Sequence, residues 1–263
     1  MGAFAHQAED KMPEASDYAQ GTPCWVDLST PDIEASKEFY AALFGWQYEV
    51  GPPETHGYTQ ALLRGKTVAG LMQPPPGQDE MPPSWTTYLA AEDAEAALKS
   101  VVDNGGQPFT GVIDVRGQGK MWIAADPTGA VFGAWQSGVH RGSQLVNEPG
   151  TVIWNELSTG DGPAARDFYA KVFGLEIGAP MGGMDYTTLE VAGRPVGGIG
   201  QFPDTIPAWA VYFAVADTDA VADLADEHGA TVVNSPKDTT YGRMATIQDP
   251  MGALFSLMSV AEQ

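Results

Sequence analysis

Trp25-Val26-Asp27-Leu28-Ser29-Thr30 returns 129 residues later as Trp154-Asn155-Glu156-Leu157-Ser158-Thr159. At the same offset, Phe39-Tyr40-Ala41 returns as Phe168-Tyr169-Ala170 and Phe44-Gly45 as Phe173-Gly174. Further along, Pro83-Ser84-Trp85 matches Pro207-Ala208-Trp209 at an offset of 124. Asp126-Pro127-Thr128-Gly129-Ala130 matches Asp249-Pro250-Met251-Gly252-Ala253 at 123. A repeat this long is a duplicated domain and not a solenoid unit. The stepwise shrinking of the offset places small deletions in the second copy, most naturally in loops. The reading is a first domain over 22–136, a linker over 137–150 and a second domain over 151–263. Residues 1–21 are polar and without periodicity, and are expected to form a mobile arm.

Composition narrows the function. Hydrophobic residues are 43% of the 263, enough for sizeable cores. The formal charge is −21, with a sequence pI near 4.2. Such a surface repels phosphate, which argues against a nucleic-acid or anionic-membrane partner. The longest apolar run, Trp209 to Ala216, is too short to span a bilayer, and no signal-peptide pattern is visible. Cys24 is the single cysteine, which excludes an internal disulfide, a cysteine zinc knuckle and an iron–sulfur cluster. A reducing, cytoplasmic setting is the expectation.

Within the first half, Cys24 to Leu28 reads as a strand. Thr30 is the expected helix N-cap, with Pro31 at the first helical position and Asp32 and Glu34 in the first turn. Ile33, Ser36, Phe39, Tyr40, Leu43 and Phe44 follow helical spacing up to Gly45, a C-cap. Strands follow over 47–50, 58–63 and 68–72. The same order recurs more weakly: a strand over 85–91, a helix over 93–103, and strands near 108–115, 120–124 and 131–136. Each half is thus read as two βαβββ modules, and the chain as four.

The residues from Asp32 to Trp46, D-x-x-x-S-x-x-F-Y-x-x-x-F-G-W, together with the closing D-P-x-G turns at Asp126 and Asp249, resemble the glyoxalase/bleomycin-resistance/extradiol-dioxygenase domains, the vicinal oxygen chelate superfamily. The resemblance covers both halves, and is nearest to two-domain glyoxalase-like proteins that carry a hydroxylase label. It implies an α+β fold: tandem domains, each pairing two βαβββ modules into a curved mixed sheet whose concave side is a cleft. It also implies a divalent metal held by His, Gln and Glu in most catalytic members. Here those positions fall near Trp25 and Trp154, around Trp85 to Thr87 and Trp209 to Val211, and at Gly133 and Ser256. None supplies a His or Glu ligand in kind. His6, His56, His140 and His228 read as surface residues, with His140 in the linker the one nearest a cleft. No metal and no cofactor are expected, which argues against glyoxalase I or ring-cleaving chemistry.

Strand alternation assigns faces. Val26 and Leu28 should lie under the helix, leaving Trp25 and Asp27, and likewise Trp154 and Glu156, on the concave side. An aromatic plate beside a carboxylate suits a flat, hydrogen-bonding ligand. The other reading is that the indoles plug the sheet and the acids are satisfied by backbone. Asp27 and Glu156 are the candidate acid–base residues, since a poorly hydrated cleft raises a carboxyl pKa. Trp85 and Trp209 are candidate cleft walls or loop anchors. Lys120 and Arg243 either bind an anionic group or offset nearby acids, with Met121 and Met244 beside them as candidate ligand contacts. Tyr40 and Tyr169 read as core, Tyr58 and Tyr186 as strand residues able to donate protons. Cys24 is expected on the convex side, buried and inert.

Three functions follow from this pattern. The first is a metal-independent small-molecule binding protein that holds a planar polar ligand. The second is an enzyme on the same scaffold, a lyase, isomerase or hydroxylase/dioxygenase-like activity that uses Asp27 or Glu156, or a metal outside the family's pattern. The third is an interaction module with filled clefts. The duplication supplies internally the pairing that single-domain relatives obtain by dimerising, so a monomeric pseudo-dimer is expected.

Overall fold

The computed structural model describes residues 18–74, 77, 81–180, 183 and 185–259. Most of the expected arm (1–17, with His6) and part of the Pro-rich loop (75–76 and 78–80) lie outside these residues. The first module comprises β1 (Pro23–Ser29), α1 (Ile33–Phe44), β2 (Gln47–Val50), β3 (Thr59–Leu63) and β4 (Lys66–Met72). The second has β5 (Ser84–Ala90), α2 (Ala94–Asp103), β6 (Gln107–Pro108), β7 (Ile113–Asp114), β8 (Gly119–Ala125) and β9 (Val131–Ser137). The third has β10 (Val152–Thr159), α3 (Gly162–Phe173), β11 (Glu176–Ile177), β12 (Tyr186–Val191) and β13 (Arg194–Gln201). The fourth has β14 (Ala208–Ala214), α4 (Thr218–Glu227), β15 (Thr231–Thr239), β16 (Gly242–Gln248) and β17 (Leu254–Ser259).

The four βαβββ modules of the sequence reading are all present. One expected strand, 108–115, is broken into β6 and β7 because Phe109 and Thr110 both donate their amides to the Ile123 carbonyl, leaving a bulge between them. The helix starts also differ in detail. Asp32, not Thr30, is the N-cap of α1, its carboxylate accepting from the Ala35 amide at 3.0 Å. Thr30 is withdrawn into the core, where its hydroxyl meets Ser36 at 2.8 Å. Asp93, Asp161 and Asp217 cap the other three helices in the same way. Gly45 and Gly174 close α1 and α3 at φ 70° and 72°, a left-handed backbone that glycine adopts without strain.

Each half builds one open sheet. The strand order is β2-β3-β4-β1-β5-β9-β8-β6, with β7 also on β8, and in the second half β11-β12-β13-β10-β14-β17-β16-β15. In both, the first strand of the half is central: β1 pairs parallel with β4 and antiparallel with β5, as β10 does with β13 and β14.

The cores do not follow the sheets. One cluster joins Val26, Leu28, Phe39 and Phe44 of the first module to Phe213, Phe255 and Leu257 of the fourth. The other joins Trp122 and Phe132 of the second module to Leu157, Phe168 and Phe173 of the third. The helical sides of the two sheets face each other, with α1 against α4 and α2 against α3. Each half therefore buries its apolar helix faces on the other half. That arrangement turns both concave faces outward.

Candidate functional site

The face assignment holds. Asp27 pairs across β1–β5 with Thr86 and Trp25 with Tyr88, while Leu28 pairs with Trp85. Cross-strand partners share a face, so Trp25, Asp27 and Tyr88 line the concave side. Val26 and Leu28 lie in the core beneath α1. Register in the second half is the same, with Trp154, Glu156 and Tyr212 concave.

On each concave face these side chains form a hydrogen-bonded quartet. In the first domain the Trp25 indole N–H donates to Tyr58 Oη at 2.8 Å. Tyr58 and Tyr88 both donate to Asp27 Oδ2, at 3.3 and 3.0 Å. In the second, Trp154 donates to Tyr186 Oη at 3.0 Å, and Tyr212 donates to Glu156 Oε1 at 3.3 Å. Tyr186 also hydrogen-bonds Glu156. Both tyrosines reach their carboxylates by lying across a strand with glycine beneath. A Cβ on Gly70 would fall 2.0 Å from Tyr58 Oη, and one on Gly198 would fall 2.0 Å from Tyr186 Oη.

Among the described residues no cation stands beside either carboxyl, and burial dominates their electrostatics. Burial pushes Asp27 up to about 7, against the opposing pull of the Tyr88 and Tyr58 hydrogen bonds. Glu156 is also raised by burial, tempered by Tyr186 and Tyr212. The same burial, with the neighbouring carboxyl, raises Tyr58, Tyr88, Tyr186 and Tyr212, so all four remain neutral hydroxyls near neutral pH.

The two quartets differ in cover. Trp25, Asp27 and Tyr88 are 4%, 5% and 4% exposed and only Tyr58 is half-buried, whereas Trp154, Glu156, Tyr186 and Tyr212 are all half-buried. The cover of the first is the linker. Leaving β9, it crosses to β1 and β4: the His140 amide donates to Gln118 O, the Ser143 amide to Cys24 O and the Gln144 amide to Thr67 O. The His140 ring sits edge-on to Trp25 at 4.4 Å and to Trp135 at 5.4 Å. Burial lowers His140 to about 4, and its Nε2 is enclosed without a partner. It is not the solvated residue that the sequence suggested. Tyr18, at the end of the expected arm, donates to Ser143 O at 2.7 Å and pins the same strap. In the second domain Met258 stands where Trp135 stands in the first.

Four candidate contacts lie elsewhere. Trp85 and Trp209 are on the opposite face, in the core between the halves, where their indoles donate to Tyr40 Oη at 3.0 Å and Tyr169 Oη at 2.9 Å. Each tyrosine then donates to the D-P-x-G aspartate of the other half, Tyr40 to Asp249 at 2.8 Å and Tyr169 to Asp126 at 3.0 Å. Lys120 lies one residue out of phase with the concave Met121 and pairs with Glu95 of α2 at 2.7 Å. Arg243 likewise reaches Asp219 of α4 and Asp238. Both cations bind surface acids, not the cleft. Met121 and Met244 do lie on the concave faces, opposite Trp135 and Met258. Cys24 is buried as expected but packs with Trp25, Tyr88 and Trp135, because a register shift between Pro23 and Trp25 breaks the alternation.

Sequence reasoning missed Tyr88 and Tyr212. Their signal was present: they share the 124-residue offset of Trp85 and Trp209, and lie three residues further on. An odd separation along a strand puts them on the other face.

The donor set does not fit the metal of the resembled family. Each quartet offers one carboxylate and two neutral tyrosines. No group of three or more His, Cys, Asp or Glu side chains comes together among the described residues. The last-strand ligand position, Gly133, lies under the Tyr88 ring, whose Cδ1 would be 2.3 Å from a Cβ there.

Comparison with known proteins agrees with this architecture. A family model described as Glyoxalase/Bleomycin resistance protein/Dioxygenase superfamily matches residues 23–158 and again 151–257. "Putative glyoxylase CFP32" of Mycobacterium tuberculosis (strain CDC 1551 / Oshkosh) is 44% identical, over 96% of this chain and 100% of its own. "Anthracycline biosynthesis protein DnrV" of Streptomyces peucetius is 40% identical, over 93% of this chain and 95% of its own. Among solved structures, the Mn(II)-bound glyoxalase from Novosphingobium aromaticivorans superposes with a TM-score of 0.66 at 19% identity, covering 93% of this chain and 84% of that one. The 2,3-dioxygenase LapB from Pseudomonas sp. KL28 gives 0.64 at 12%, covering 92% and 94%. At these identities the structural likeness speaks for the fold alone.

Proposed function

The chain belongs to the glyoxalase/bleomycin resistance protein/dioxygenase superfamily, and from that premise we propose that it is a metal-independent small-molecule binding protein holding one planar, polar aromatic ligand on the concave face of its second domain. The observation that carries this reading is the difference in cover. The Trp154–Tyr186–Glu156–Tyr212 quartet is half-buried throughout, while the linker lies across its twin and buries all of it but Tyr58. An indole supplies a stacking surface, and a carboxyl held by two hydroxyls supplies the polar group that orients a ring. A 40%-identical relative named for anthracycline biosynthesis supports a fused, hydroxylated ring as the ligand class. Because the first face is closed, the stoichiometry is one ligand per chain.

The test is calorimetric titration with 1,4-dihydroxyanthraquinone in buffer containing EDTA. Saturable 1:1 binding is expected, weakened about tenfold by Trp154→Ala, or about 1.4 kcal/mol. Absence of saturable binding, two sites per chain, or binding that requires an added divalent metal overturns the reading. The raised carboxyl of Glu156 favours a second reading, proton transfer on the bound ligand. Glu156→Gln that binds the ligand but abolishes a pH-dependent conversion of it would select that reading over plain binding.

The shared cores between halves support a monomeric pseudo-dimer. Light scattering is expected to give the chain mass, 27.9 kDa; twice that value would overturn the expectation.

A further inference from the structure

Phe202 follows β13, and its amide donates to Thr159 O at 2.9 Å, which holds the turn against the end of β10. Its side chain is 40% exposed, large for an aromatic residue so firmly anchored. The ring lies on the concave face. Gly200 pairs with Ser158 and Tyr186, both in phase with Glu156, so a Cβ at Gly200 would point into the cleft. That Cβ would meet Phe202 Cε2 at 2.5 Å and Tyr186 Cδ2 at 3.2 Å. Phe202 thus adjoins the ring of Tyr186, whose hydroxyl end receives the Trp154 indole N–H. The three side chains thus follow one another along the face that carries Glu156. The first domain has no counterpart: Met72 stands at the Gly200 position and Pro74 at the Phe202 position.

We propose that Phe202 is a selectivity residue that extends the aromatic floor of the second domain, so that the site prefers fused, multi-ring ligands over a single ring. The proposal rests on the binding reading above. A single hydroxylated ring reaches Glu156 and stacks on Trp154 or Tyr186 alone. A fused system reaches the same carboxyl and also covers Phe202, adding buried apolar area and a further ring contact. Gly200 is what permits this, since any larger residue displaces the Phe202 ring.

The experiment measures the affinities of catechol and 1,4-dihydroxyanthraquinone for the full chain and for two variants, Phe202→Ala and Gly200→Met, with the melting temperature of each. The wild type is expected to bind the anthraquinone at least about tenfold tighter than catechol. Both variants are expected to shrink that ratio about fivefold or more, and in Phe202→Ala catechol affinity and melting temperature are expected to stay close to wild type. A wild type that binds both probes and an unchanged ratio in Phe202→Ala overturn the role of Phe202 and leave the binding reading standing. Loss of both probes together with a lowered melting temperature marks Phe202 as a structural anchor and also overturns the proposal. A wild type that binds neither probe overturns the binding reading itself.

Discussion

Asp126→Ala is expected to lower the unfolding free energy by about 3–5 kcal/mol in urea titrations. One carboxylate oxygen of Asp126 accepts from the amides of Thr128, Gly129 and Ala130 and from the Thr128 hydroxyl, at 2.7 to 3.1 Å. The other accepts from Tyr169 of the opposite half. Asp126 is 3% exposed, and Tyr169 is fully enclosed. Alanine would orphan several donors at once, and each buried unsatisfied donor costs about 1–3 kcal/mol. Partial access of water to the turn keeps the total below the sum. Tyr169→Phe tests the cross-half bond alone. It is expected to cost about 1–2 kcal/mol, because Trp209 loses its acceptor and Asp126 keeps its turn. The mirror variant Asp249→Ala should behave like Asp126→Ala, since Met251, Gly252, Ala253 and Tyr40 bond it in the same pattern. An Asp126→Ala protein within 1 kcal/mol of wild type would show that the two halves are not joined through this bond.

Asp27→Asn is expected to stabilise the protein at pH 8 and to change little at pH 4. The folded pKa, about 7, lies above the ordinary aspartate value near 4 that the unfolded chain shows. At low pH both states carry the proton. Between about pH 4 and 7 the unfolded state ionises while the folded state holds its proton, so stability falls as pH rises, then levels off. A separation of about three pH units bounds the effect at about 4 kcal/mol. Asparagine cannot ionise, and its carbonyl oxygen still accepts from Tyr58 and Tyr88. The quantity to follow is the difference between variant and wild type. Other groups titrate in the same window and cancel in that difference: His140, held low, acts with the opposite sign between about pH 4 and 6.5. A difference that stays flat from pH 4 to 8 would mean that Asp27 titrates in the folded protein as it does in the unfolded chain, with no shift from burial.

Much of this molecule was legible in the residues. The duplication, the four modules and the concave placement of Trp25, Asp27, Trp154 and Glu156 rest on period and register, which are local properties of a chain. Small misreadings were also local. Thr30 and Asp32 are both competent N-caps two residues apart, and only the path of the chain into the core separates them. Trp85 and Lys120 were left open between a cleft role and a structural one for another reason. Each is one residue out of phase with a cleft position, and their repeat-matched partners repeat the same ambiguity. The partners that settle them, Tyr40 and Glu95, lie 45 and 25 residues away.

The make-up of each half and the side chains that share a strand face follow from the residue order alone, because backbone sterics and a period of two or 3.6 residues act over a few neighbours. It took the packing of one half on the other to give Tyr40 and Tyr169 the opposite half's aspartate as a partner. The same packing set the linker across the first quartet, while the second stays half-buried. Those outcomes depend on contacts between residues far apart in the chain and on the route of a segment with no regular structure, and periodicity carries no signal for either.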